Sequence, residues 1–228
     1  MSCSRLIEFV EQKYIGDFVR DRLIPAATDN PTQIMASLSR NFLQSSTNIL
    51  SAICTLAKLE FGDEPLILAR TIFEYSMHIA YIHAGGESRA RAFVVKGYEE
   101  QKRRRCELSK LKEQGKCLDW IKDMEAATWH EAENDLTKSV DQFPSFKNMA
   151  KDLGEPYECD WHFIYWSISK AVHPNDINSI ARNPSEDAKR ALLLGFNYHY
   201  RIARIVCASL EQELDAKVQE FLGLVDVN

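Results

Sequence analysis

Arg70 and Glu74 stand four residues apart in the run LARTIFEYSMHIAYI, and His78 follows four further on. That spacing puts the three side chains on one face of any helix formed there. Their neighbours are Leu66, Ile67, Leu68, Ile72, Phe73, Ile79 and Ile82. Ionised groups on so apolar a helix are costly to bury unless paired and hydrogen-bonded. Arginine precedes glutamate, the weaker order for helix stability, so helix formation alone is a poor reason for the pair. Two readings stand side by side: a buried ion pair that sets helix register, or part of a site. A second stripe is Tyr165, Ser169 and His173, again spaced by four. His173 falls just before Pro174, where unpaired helix carbonyls favour an imidazolium, so a capping role competes with a chemical one. If the stripes face each other, Arg70, Glu74, Ser169 and His173 form a candidate catalytic set of guanidinium, carboxylate, hydroxyl and imidazole. Such a set can hold a phosphate or move a proton. Glu74 and His173 are then expected within hydrogen-bonding reach or bridged, since each favours the other's charged form.

A basic run, Lys102, Arg103, Arg104 and Arg105, is the second candidate. Residues 87–116 carry ten basic and five acidic side chains on a chain of net charge −5. A positive stripe of this kind is a candidate nucleic-acid-binding surface. A solvated helix face laced with ion pairs is the competing reading. No metal site is expected. Glu74 and His78 lie at i and i+4, and Asp160-Trp161-His162 adds two more ligand types, but the Glu-x-x-His spacing of di-iron bundles is missing. The six cysteines form no C-x-x-C pair, which argues against a zinc ribbon and for reduced thiols. Phosphate loops, dinucleotide fingerprints and nucleophile elbows are absent, and no cofactor is expected.

The elements that must position these residues read as helices. Apolar residues from Leu6 to Val19 recur at helical spacing, and Pro25 is expected to close that helix. Asn30-Pro31-Thr32-Gln33 has the form of a helix start, opening a helix to about Phe61. Gly62-Asp63-Glu64-Pro65 is a tight connection. The helix from Leu66 to Ala84 is apolar nearly all round, hence central, and Gly85-Gly86 ends it. A charged helix from Glu87 to about Lys116 follows, then one through Trp120, Met124 and Trp129. Pro144 and Gly154 bracket a short helix, Phe146 to Leu153. An aromatic helix runs from Trp161 to about Val172. Asn183-Pro184-Ser185-Glu186 caps a last helix reaching about Leu222.

Nine glycines and seven prolines in 228 residues are too few for strands joined by tight turns. With short connections and no repeat, the expectation is an all-α fold. It is a single antiparallel bundle of about seven or eight helices spanning 1–228, with the N-terminal helix, about 3–24, at its periphery. The first residues lack the form of a signal peptide, and no apolar stretch approaches a membrane span, so a cytoplasmic chain without membrane contact is expected.

The runs LARTIFEYSMHIAYI, ESRARAFVVKGYEEQKRR and YWSISKAVHPN together resemble a bacterial family of helical proteins of unknown function. Its pattern of R-x-x-x-E, R-x-x-x-F and Y-x-x-x-S-x-x-x-H-P falls on Arg70, Glu74, Arg89, Phe93, Tyr165, Ser169 and His173. The resemblance covers roughly residues 60–205. A looser resemblance is to the HEPN superfamily (higher eukaryotes and prokaryotes nucleotide-binding). These are small helical bundles, many of them metal-independent ribonucleases of toxin and antiviral systems. It implies Glu74 as the acidic residue and His173 as the histidine. The superfamily's arginine four to six residues before that histidine is missing, since Ser169, Ile168 and Ser167 occupy those places. Arg70 would have to supply it from another helix. The reading that follows is a binding or interaction module in a defence or toxin-like system, with a ribonuclease using His173, Arg70 and Glu74 as the alternative. RNA, a protein or a second copy of the chain are the partner classes left open.

Overall fold

In the computed structural model, residues 2–28, 34–61, 63–115, 142–165 and 183–210 are described, and among them every regular element is a helix. Helix α1 is continuous from Cys3–Glu8 through Phe9–Leu23 to Ile24–Thr28. Helix α2 is Ile34–Lys58, α3 is Asp63–Glu113, and α4 is Phe146–Leu153. Helix α5 starts as Tyr157–Asp160 and continues through Trp161–Tyr165, and α6 is Pro184–Ser209. The all-α expectation holds, and the six helices among the described residues stand near the seven or eight expected.

Side-chain pairings set the helix directions. Ser39 meets His83 while Phe42 meets Tyr75 and His78, so α2 and α3 run in opposite senses. Thr47 meets His199 while Leu50 and Ile53 approach Gly195, so α6 also opposes α2. Arg20 reaches Ser51 and Lys58 reaches Glu11, which makes α1 antiparallel to α2 as well. The bundle is therefore antiparallel about α2, with α1, α3 and α6 sharing one direction. Gly195 is small for a reason: a Cβ there would stand 2.8 Å from Ile53 Cδ1.

The N-terminal helix is a full wall of this bundle rather than a peripheral element. Val10, Tyr14, Ile15, Phe18, Val19 and Leu23 are all buried. They recur at roughly 4.3 residues per turn, nearer the i→i+5 winding of a π-helix than the 3.6 of an α-helix. The backbone over Phe9–Leu23 is wound that way, and the Ile24 N–H donates to Val19 O. Pro25 does not end the helix. It follows the last π-type bond and opens the α-helical stretch Ile24–Thr28, where a missing donor costs little.

Helix α3 breaks where Gly85-Gly86 was expected to end it. Gly86 takes φ 65° and ψ −151°, a conformation essentially reserved for glycine, and the helix then resumes to Glu113. Arg89 secures the break. Its Nη1 donates to Tyr81 O at 3.0 Å, and its guanidinium lies 3.8 Å from the Tyr81 ring centroid. A Cβ on Gly85 would collide with the Arg89 stem at 2.1 Å. Glu87 serves a third helix, accepting the Ile34 and Met35 N–H groups at 3.3 Å each and so capping α2 from outside. The expected Asn30 to Gln33 start and the helix through Trp120, Met124 and Trp129 lie outside the described residues.

The ends of α4 and α6 follow their sequence signals. Ser145 Oγ accepts from Asn148 N, and Gly154 (φ 67°) closes α4. Asn183 Oδ1 accepts from Ser185 N at 3.2 Å, with proline in the first turn of α6.

Candidate functional site

Arg70 and Glu74 pair as their spacing requires, with Nε donating to Oε1 at 3.0 Å on α3. The pair is half-buried, its side chains 24% and 28% exposed. Between them in sequence, Phe73 turns inward and meets Tyr198 of α6 at 5.0 Å between ring centroids. One turn on, Arg201 donates to Asp160 of α5, and both side chains keep about a fifth of their surface open. The Arg201 guanidinium lies 5.0 Å from the Tyr198 ring and 5.5 Å from the Tyr157 ring. Burial pushes the Tyr198 hydroxyl well up, with the Asp160 charge adding to it. Burial also raises Tyr157. Two arginine–carboxylate pairs thus flank the Phe73–Tyr198 contact, and each carboxylate fixes a guanidinium in orientation.

Asp160, Arg201, Tyr157 and Tyr198 were not candidates from the sequence as one group. Forty-one positions separate Asp160 from Arg201, and no spacing rule links them. The only local signal was Tyr198 and Arg201 at i and i+3 on one helix face. Ser169 and His173 lie outside the described residues, as does the expected approach of His173 to Glu74.

Burial favours the neutral form of three described histidines, His199 fully buried and His78 and His83 half-buried. His199 is fully buried, with Nδ1 at 2.8 Å from Tyr14 Oη and Nε2 at 2.9 Å from Thr47 Oγ1. Thr47 spends its own proton on Leu43 O at 2.6 Å. His199 must therefore donate from Nε2 and accept from Tyr14 at Nδ1. Burial lowers its pKa to about 3. His83 repeats the arrangement, 2.8 Å from Ser39 Oγ, whose proton goes to Met35 O, and burial lowers its pKa too. His78 sits among the rings of Phe42, Phe93, Phe143 and Phe146, its pKa lowered to about 4 by burial and then by Lys96. Its Nδ1 is buried with no hydrogen-bond partner among the described residues. The Glu74–His78 pairing considered for metal is thus divided: glutamate turns to Arg70, imidazole to the rings. No group of three His, Cys, Asp or Glu side chains among the described residues is placed to hold a metal ion.

The basic run lies on the second half of α3. Lys102, Arg103 and Arg104 are exposed, and Arg105 is half-buried. Arg103 stands 3.9 Å from Glu107. Consecutive helical residues fan out by about 100° each, so the four wrap the helix rather than line one face. An open groove of about 430 Å³ lies elsewhere, between α1, α2 and the start of α6, lined in part by Glu8, Glu11, Lys58 and Ser185. No helix among the described residues is long and apolar enough to cross a membrane.

Fold and site together define a helical bundle that carries two half-buried arginine–carboxylate pairs, Arg70–Glu74 on α3 and Arg201–Asp160 between α6 and α5. The chain belongs to a family whose profile matches residues 36–191 and whose description is a family of unknown function (DUF5677). That span encloses Arg70, Glu74, Asp160, Ser169 and His173 but stops short of Tyr198 and Arg201. No curated protein and no solved structure matches the chain.

Proposed function

We propose that the chain is a binding module that holds an anionic ligand, RNA through its phosphates, at the seam formed by Arg70–Glu74 and Arg201–Asp160. The observation that carries this reading is the intermediate exposure of both pairs. A sealed pair would only fix packing, and a fully exposed pair would be screened. A half-buried guanidinium whose orientation a carboxylate already fixes loses little freedom on binding a phosphate. The setting in a defence or toxin-like system rests on the HEPN resemblance alone. The test is binding of a labelled single-stranded RNA at low salt by wild type, Arg70→Ala and Arg201→Ala, with folding checked by circular dichroism. Both variants should weaken binding by about tenfold or more. No binding by the wild type, or equal binding by folded variants, removes the proposal.

A second reading, RNA cleavage, is favoured by one further observation. Burial keeps His78, His83 and His199 neutral and engaged in packing, so these three are poor proton carriers at neutral pH. Three histidines then remain, His130, His162 and His173, and the HEPN resemblance selects His173 as general acid or base, with Arg70 and Glu74 as its charged partners. Cleavage by the wild type that His173→Ala abolishes supports this reading, and cleavage at an unchanged rate in that variant sinks it.

A further inference from the structure

We infer that the segment 142–153 is a strap that locks the break in α3 and can lift from it as a unit. Phe143 is buried against both halves of the broken helix. Its ring centroid lies 5.4 Å from Tyr81 and 5.9 Å from His78 before the break, and 5.2 Å from Phe93 after it. Lys96 on the second half holds the same segment, its Nζ donating to Pro144 O at 3.3 Å and lying 5.3 Å from the Phe143 ring. Phe146 inserts beside His78 at 4.7 Å, backed by the Trp161 ring at 6.1 Å.

A short helix held by Phe143, Phe146, the buried Met149 and Ala150 and one lysine is a small cooperative unit, the kind that opens locally below the cost of global unfolding. The box it fills has one weak wall. The Nδ1 of His78, buried without a partner among the described residues, regains a hydrogen bond from water when the strap lifts, which favours the open form. Phe42 and Tyr75, which meet at 5.3 Å, complete the aromatic box that lifting would uncover. The strap is the box's own occupant and holds the angle between the two halves of α3.

The test is hydrogen–deuterium exchange on the full chain at neutral pH, comparing wild type, Phe143→Ala and His78→Phe. Phe143→Ala should speed exchange by about tenfold both in 142–153 and in 84–96, and leave 47–54 of α2 within about twofold. Faster exchange confined to 142–153, or of equal size in all the long helices, overturns the strap. His78→Phe keeps an aromatic ring and removes the unpartnered nitrogen, so it should slow exchange in 142–153. Unchanged or faster exchange there overturns the role given to His78.

Discussion

Tyr14, His199 and Thr47 show how a single buried imidazole can join three helices, since one lies on each of α1, α6 and α2. Every proton in this chain of hydroxyls has one place to go, and the tautomer is fixed by elimination. Tyr14→Phe would leave Nδ1 of His199 buried without its donor, at a cost of about 1–3 kcal/mol. Chemical denaturation should show that loss with an unchanged dependence on denaturant, and equal stability would deny the bond. The same histidines make stability depend on pH. An unfolded histidine titrates near 6.5, whereas His78 and His199 titrate at about 4 and about 3 when folded. Between those values the unfolded chain binds more protons. The stability that neutral imidazoles contribute is therefore complete above pH 6.5 and is lost as pH falls through the window, by up to about 1.4 kcal/mol per pH unit for each. The urea midpoint should drop between pH 7 and 5. A flat midpoint would mean that these rings accept protons in place. Polar residues at helical spacing drew attention to His78. Nothing local marked His199, whose partners are 185 and 152 positions away.

At the scale of elements, α3 carries the structural decisions. Its break was legible because two adjacent glycines can hardly mean anything else in an apolar helix. That the helix resumes, and that Arg89 and Glu87 tie the junction, was not legible, since both act on groups far from their own spacing pattern. Gly86→Ala forces a side chain into a glycine-only conformation and should cost about 1–3 kcal/mol. Glu87→Ala should cost about 1 kcal/mol by uncapping α2, a helix it does not belong to. Thermal unfolding checks both, and a Glu87→Ala variant as stable as wild type would show that the cap is idle. The apolar residues of α1 were legible, but how far they wall the bundle was not, for another reason. A 3.6-residue template keeps Val10, Tyr14 and Phe18 on one face but turns Val19 and Leu23 away from it, while the π winding gathers all five on one side.

At the scale of the whole molecule, charge and burial separate by position. Arg70 is half-buried and paired, whereas Lys102 stands exposed on the second half of α3. Arg70→Ala should lower stability by about 1 kcal/mol, and Lys102→Ala should leave it unchanged. Equal melting temperatures would mean that the pair adds nothing to the fold. The partial exposure of Arg70 and Glu74 makes this loss smaller than a sealed pair would give.

What the sequence by itself determined was local. Helical periodicity, proline and glycine punctuation and the Ser145 and Asn183 starts set the all-α class and the bounds of α4, because these signals act within one or two turns. The Arg70–Glu74 pair was equally readable, since four residues span one helical turn. Only the tertiary structure decided that α6 runs with α3, that Asp160 meets Arg201, and that His199 closes a network with Tyr14 and Thr47. Those contacts depend on how whole helices pack, and packing is settled by the summed fit of many apolar side chains rather than by any spacing along the chain.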